Sequence, residues 1–136
     1  MTETVPGIEG LVALPSRFAA RETLDRFEAC VRRKGLLVFA RIDHAAGAAR
    51  IGKRLRPTEL LIFGHPQGGT PLMETAQTLG IDLPLRALAW EDATGQVWLG
   101  YNDPRYLARR HGLVESPPAE AMSRALAALA TASLEG

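Results

Sequence analysis

The sequence predicts an α+β domain, a mostly antiparallel five-stranded sheet with its longer helices on one face. Three observations lead there. Five apolar runs of strand length are set off by Gly, Pro and Asp punctuation. Most of the connections are short turns or short helices, which suits antiparallel neighbours. Two longer stretches, Phe18 to Lys34 and Pro117 to Leu134, carry apolar residues at helical spacing. At 136 residues the chain fits one domain, 1–136, large enough to remove about two-thirds of its unfolded surface from water.

Residues 1–8 read as a frayed terminus, and Gly10 to Leu14 as a short strand stopped by Pro15. The helix from Phe18 turns Phe18, Leu24, Phe27 and Val31 inward and ends in Arg32, Arg33 and Lys34 before Gly35. Leu36 to Ile42 is the second strand, and Asp43 caps a small helix, His44 to Leu55. Leu60 to Phe63 is a third strand ending at Gly64-His65-Pro66, since Pro66 cannot donate to a ladder. Gln67-Gly68-Gly69 then reads as a turn that uses positive φ, with Thr70 capping a helix that starts at Pro71. Leu85 to Glu91 and Gln96 to Tyr101 form a hairpin around Asp92-Ala93-Thr94-Gly95. Asp103-Pro104 opens a helix to His111, and Ser116-Pro117 opens the last one.

Composition excludes several functions. With 46% apolar residues, 23% charged residues and a net charge of +1, the chain has no electrostatic footprint for nucleic acid. A lone Cys30 excludes an intramolecular disulfide and a cysteine metal cluster. MTETVPGIEG lacks the basic and apolar regions of a signal peptide, and no apolar run approaches the ~18 residues of a membrane span. The expected setting is cytoplasmic, with no membrane partner. The three histidines have no metal-ligand spacing, so no metal is expected, and the glycine-rich stretch matches neither a P-loop nor a dinucleotide fingerprint, so no cofactor is assigned.

LLVFARIDHAAGA (Leu36 to Ala48), LRPTELLIFGHPQGGTPLM (Leu55 to Met73), IDLPLRALAWED (Ile81 to Asp92) and VWLGYNDPRYLARRH (Val97 to His111) resemble the successive motifs of the domain of unknown function 302 family, most strongly over residues 36–103. The resemblance implies a β-α-β(4)-α order akin to the TATA-binding-protein-like fold group, and a homodimer. It implies no established activity. The family pattern has Asn where this chain has His65, so any role of His65 belongs to this branch.

Counting alternate residues puts Phe39, Arg41, Leu61, Phe63, His65, Arg86, Leu88, Trp90, Trp98 and Asn102 on one sheet face, an aromatic surface with two guanidinium groups. Three functions compete. The first is a homodimeric ligand-binding or sensing module for a partly apolar organic anion: Phe63, Trp90 and Trp98 supply area, Arg41 or Arg86 a bidentate grip, His65 lies alongside, and the N–H groups of Gly68, Gly69 and Thr70 supply a second grip at a helix start. The second is an interaction domain whose aromatic face makes the dimer. The third is an enzyme using Asp43, His44 or Asp103, which requires those groups to converge.

Overall fold

The structure, a computed structural model, describes residues 8–136. Most of the terminus read as frayed, residues 1–7, lies outside that range. Five antiparallel strands form one sheet: β1 (Leu11–Ser16), β2 (Leu37–Asp43), β3 (Thr58–Gly64), β4 (Leu85–Glu91) and β5 (Val97–Asn102), in the spatial order β1-β5-β4-β3-β2. Helices α1 (Ala20–Arg33) and α5 (Pro117–Leu134) cover one face, while α2 (His44–Arg50), α3 (Pro66–Thr75) and α4 (Pro104–Arg110) sit in the connections. A 3-10 turn spans Gln77–Ile81. The α+β architecture expected from the sequence is what forms.

The main core lies between the sheet and α1 and α5, centred on Leu24, Phe27, Val31, Leu61, Phe63, Ala87, Ala89, Leu99, Leu126 and Ala130. Phe27 and Phe63 meet edge to face, with ring centroids 5.3 Å apart at 76°. A second, smaller core joins Leu72 of α3, Leu79 of the 3-10 turn, Leu107 and Ala108 of α4 and Ala119 of α5. The two cores meet at Leu83 and Met122, which pack against both.

Several boundaries differ from the sequence reading. β1 runs through Pro15, because an edge strand bonded only to β5 tolerates a residue without an N–H. α2 ends at Arg50, with Gly52 at φ +75 breaking the helix before Leu55. The largest difference lies after β3. Helix α3 begins at Pro66, and Pro71 lies inside it. The His65 imidazole caps this helix, with Gln67 N–H donating to its Nδ1 at 3.1 Å, and the N–H groups of Gly68 and Gly69 both donate to the His65 carbonyl. Pro66 occupies the first helical position, where its missing N–H costs nothing. Gly68 and Gly69 therefore sit in a helical turn, and neither has positive φ. Close packing explains Gly68, since a Cβ there would approach Met122 Cε to 3.2 Å.

Candidate functional site

Cross-strand register decides which side chains share a surface. Ala40, Ile62 and Arg86 form one column; Ile42, Leu60, Leu88, Gly100 and Ala13 form another; Thr58, Trp90, Trp98 and Pro15 form a third. All three lie on the face opposite α1 and α5. Arg41, by contrast, pairs with Leu61, and Leu61 with Ala87, in a column that faces the helices, as does Phe63. The single aromatic face read from the sequence is thus two half-faces pointing opposite ways. The error is one of parity: even-numbered positions of β3 pair with even-numbered positions of β4, and a bulge at Phe39 shifts the count within β2.

Arg41 and Arg86 consequently differ in chemistry. Arg41 donates to Glu59 at 2.7 Å and Glu28 at 3.0 Å and pairs with Asp25 at 2.7 Å. Burial works to lower its pKa, yet the hydrogen bonds it donates to these three carboxylates prevail and raise it. Its guanidinium is committed to its own chain and is not a free anion grip. Arg86 is exposed on the open face beside Ile62. Trp90 and Trp98 stack at 6.4 Å and 22°, and the Trp90 ring lies over Gly100, where a Cβ would come within 2.8 Å of it. The Trp98 indole N–H donates to Asp92 at 2.9 Å. Hydrogen bonds from the Thr94 hydroxyl and this indole hold the Asp92 carboxyl down at about 2.

A cavity opens elsewhere, between α3 and α5 at the end of the sheet where β3 stops, with a volume of about 760 Å³. Its α5 wall is the stripe Pro118, Ala121, Met122, Ala125, Leu126 and Leu129. Leu36, Met73, Leu83 and Leu85 add aliphatic surface from the connections, and Phe39 swings in from its bulge. Among the described residues, Lys34 is the one side chain with a permanent charge in the lining, and no carboxylate lines it. Of the residues expected to bind a ligand, His65, Gly68, Gly69 and Thr70 are brought together here, whereas Arg41, Phe63, Arg86, Trp90 and Trp98 are not. The Gly68 and Gly69 N–H groups, committed to the His65 carbonyl, give no anion grip. Sequence reasoning missed Lys34, read as a solvated helix end, and the small-residue stripe of α5, which spacing alone makes look like ordinary core.

The residues proposed for acid–base chemistry do not converge. Asp43 caps α2 and pairs with Arg21 at 2.9 Å, His44 is exposed at the start of α2, and Asp103 caps α4 and pairs with Arg105 at 2.8 Å. Asp43 ends β2 opposite the start of β3, while Asp103 follows β5 at the other end of the sheet. A different polar cluster was invisible in the sequence: His111 Nε2 lies 2.5 Å from Asp82 Oδ2, the Thr78 hydroxyl lies 2.7 Å from Nδ1, and Arg110 donates to Asp82 at 2.6 Å. Burial works to raise the Asp82 pKa, but the hydrogen bonds from His111 and Arg110 win and lower it. This cluster clips the end of α4 to the 3-10 turn and lies outside the cavity lining. No group of three or more His, Cys, Asp or Glu side chains could hold a metal among the described residues.

Residues 12–130 match the family described as Domain of unknown function DUF302. The chain belongs to the DUF302 family. A crystal structure of an uncharacterized conserved DUF302 protein from Bacillus stearothermophilus superposes with a TM-score of 0.72 over 93% of this chain and 97% of that one, at 17% identity, a likeness of fold. Among curated proteins, the chain is 55% identical over 104 residues to Fluoride-specific ion channel FluC 1 of Brucella suis and, equally, to FluC 2 of Brucella melitensis. That alignment covers 76% of this DUF302 chain but only 41% and 38% of those relatives. Among the described residues no helix is long and apolar enough to cross a membrane.

Proposed function

We propose that this DUF302 domain is a small-ligand-binding or sensing module whose ligand, a partly apolar organic anion, occupies the groove between α3 and α5. The observation that carries the reading is a cavity of about 760 Å³ with aliphatic walls and, among the described residues, Lys34 as its lone permanent charge. That volume falls within the range of about 300–1,000 Å³ typical of small-molecule sites, which combine apolar area with a few polar groups. Catalysis is the weaker reading, because Lys34, His65 and Thr70 are the candidate acid, base or nucleophile side chains in the lining and no hydrogen bond joins any two of them among the described residues. A thermal-shift screen of carboxylates, sulfonates and phosphoesters tests it. At least one class should raise the melting midpoint of the wild type and leave Ala125→Trp, which fills the groove from the exposed side of α5, unmoved. No shift by any class sinks the reading.

The open sheet face favours a second, compatible reading, a homodimer. Its middle column of Ile42, Leu60, Leu88, Gly100 and Ala13 carries no charge and is flanked by the stacked tryptophans. Soluble chains seldom leave such a patch wet. Sedimentation at micromolar concentration should give a dimer for wild type and a monomer for Leu88→Asp; a wild-type monomer removes the idea.

The name of the Brucella relatives raises fluoride as a ligand. An aliphatic groove suits a small hydrated anion poorly, because nothing in it repays the loss of hydration. In our reading the channel activity of those relatives belongs to the larger part of their length outside the alignment. Sodium fluoride should then leave the melting midpoint where an equal concentration of sodium chloride leaves it.

A further inference from the structure

Resting on the groove reading, we infer that the ligand is an aliphatic monocarboxylate, its head held by Lys34 and His65 and its chain lying along α5. Charge complementarity selects an anion with one charge: among the described residues the lining holds one lysine and no acid. Continuing the β2–β3 register beyond Leu37 and Gly64 sets Leu36 opposite His65, which brings the Lys34–Leu36 segment and the His65 turn to the same rim. His65 has a defined polarity. Gln67 N–H donates to its Nδ1, so the neutral ring carries its proton on Nε2, a donor suited to a carboxylate oxygen. Helix capping and ligand recognition thus use the two nitrogens of one side chain.

The wall specifies the rest of the molecule. From Pro118 to Leu129 the α5 stripe extends about 16 Å at 1.5 Å per residue, a long and narrow support. Aliphatic side chains and the two methionines, Met73 and Met122, make most of the surface, and Phe39 is the one carbocyclic ring. Thioethers adapt to a flexible chain, whereas a flat ring would find one partner to stack on. The groove therefore selects length and flexibility over aromaticity.

The experiment is isothermal titration of the delipidated chain with hexanoate, octanoate, decanoate and dodecanoate, with 1-decanol, decyl phosphate and 2-naphthoate as comparisons. Affinity should rise with chain length and then level off once the groove is filled. Decanoate should bind more tightly than decanol, decyl phosphate or naphthoate. Lys34→Gln and His65→Asn should each weaken decanoate about tenfold, as loss of a charge-assisted hydrogen bond does, and leave decanol unchanged. His65→Asn keeps an uncharged acceptor for the helix cap, and so separates binding from folding. Equal binding of decanoate and decanol, with no effect of Lys34→Gln, overturns the carboxylate while leaving the groove occupied. Tighter binding of naphthoate overturns the aliphatic chain, and tighter binding of decyl phosphate overturns the head group. If no compound binds, this inference falls, and the thermal-shift screen decides whether the groove reading falls with it.

Discussion

The two faces of the sheet invert a simple expectation. The covered face holds a charged network, with Glu59 only 7% exposed and locked to Arg41, while the open face presents Leu60, Ile62, Leu88 and two tryptophans. What separates them is partnership. A buried carboxylate is tolerable when a guanidinium meets it at 2.7 Å, and a tryptophan stays at a wet surface when an aspartate holds its N–H. Exposure follows from where the helices pack, and chemistry then follows from who the neighbours are.

That contrast can be broken at its core first. Phe63→Ala removes a side chain that is 0% exposed and packed on Phe27, and should cost about 3–5 kcal/mol. Leu88→Ala, on the open face of the monomer, should cost clearly less, and urea midpoints compare the two. The arginines sharpen the comparison next. Arg41→Met strands Glu59 without its partner and should cost about 3 kcal/mol, partly restored by adding Glu59→Gln. Arg86→Met, one column over, should change stability by less than about 0.5 kcal/mol.

The smallest effect is local and depends on pH. The folded Asp92 carboxyl sits at about 2, below its ordinary 3.8, so its stabilising contribution is complete above 3.8 and is lost as the pH falls through about 2. Tryptophan emission should hold its neutral-pH value on acidification to about pH 3 and change below it as the Trp98 bond weakens. Asp92→Asn should abolish that acid step, and a wild-type step centred near 3.8 would contradict the bonding described.

Local chemistry was legible in the sequence, and relative placement was not. The hairpin at Asp92–Gly95, the caps at Asp43, Asp103 and Ser116, and both long helices could be read because each signal is complete within a few residues. The separation of Arg41 from the tryptophans could not, because register is a property of the strand pair: Leu61 and Phe63, rightly grouped with Arg41, sit opposite Ala87 and Leu85, not Leu88 or Trp90. The start of α3 was missed for a different reason. Thr70-Pro71 and His65-Pro66 both offer a cap followed by proline, and residue preference favours threonine, yet the imidazole nitrogen does the capping. As for the cavity, its lining comes from four separated stretches of chain, and only folding assembles them.

The edges of the sheet bear on how copies of this chain can meet. β1 carries Pro15, which offers no N–H, and β2 is kinked by its bulge at Phe39, so neither border is a straight template for strand addition. Growth by edge-to-edge stacking, the route to open-ended fibres, is therefore disfavoured at both ends. The dimer proposed above would instead meet face against face, a two-fold arrangement that uses the same patch on both copies and is closed once formed. The irregularities at Pro15 and Phe39 thus act as terminators of polymerisation, allowing an apolar surface to exist without seeding an aggregate.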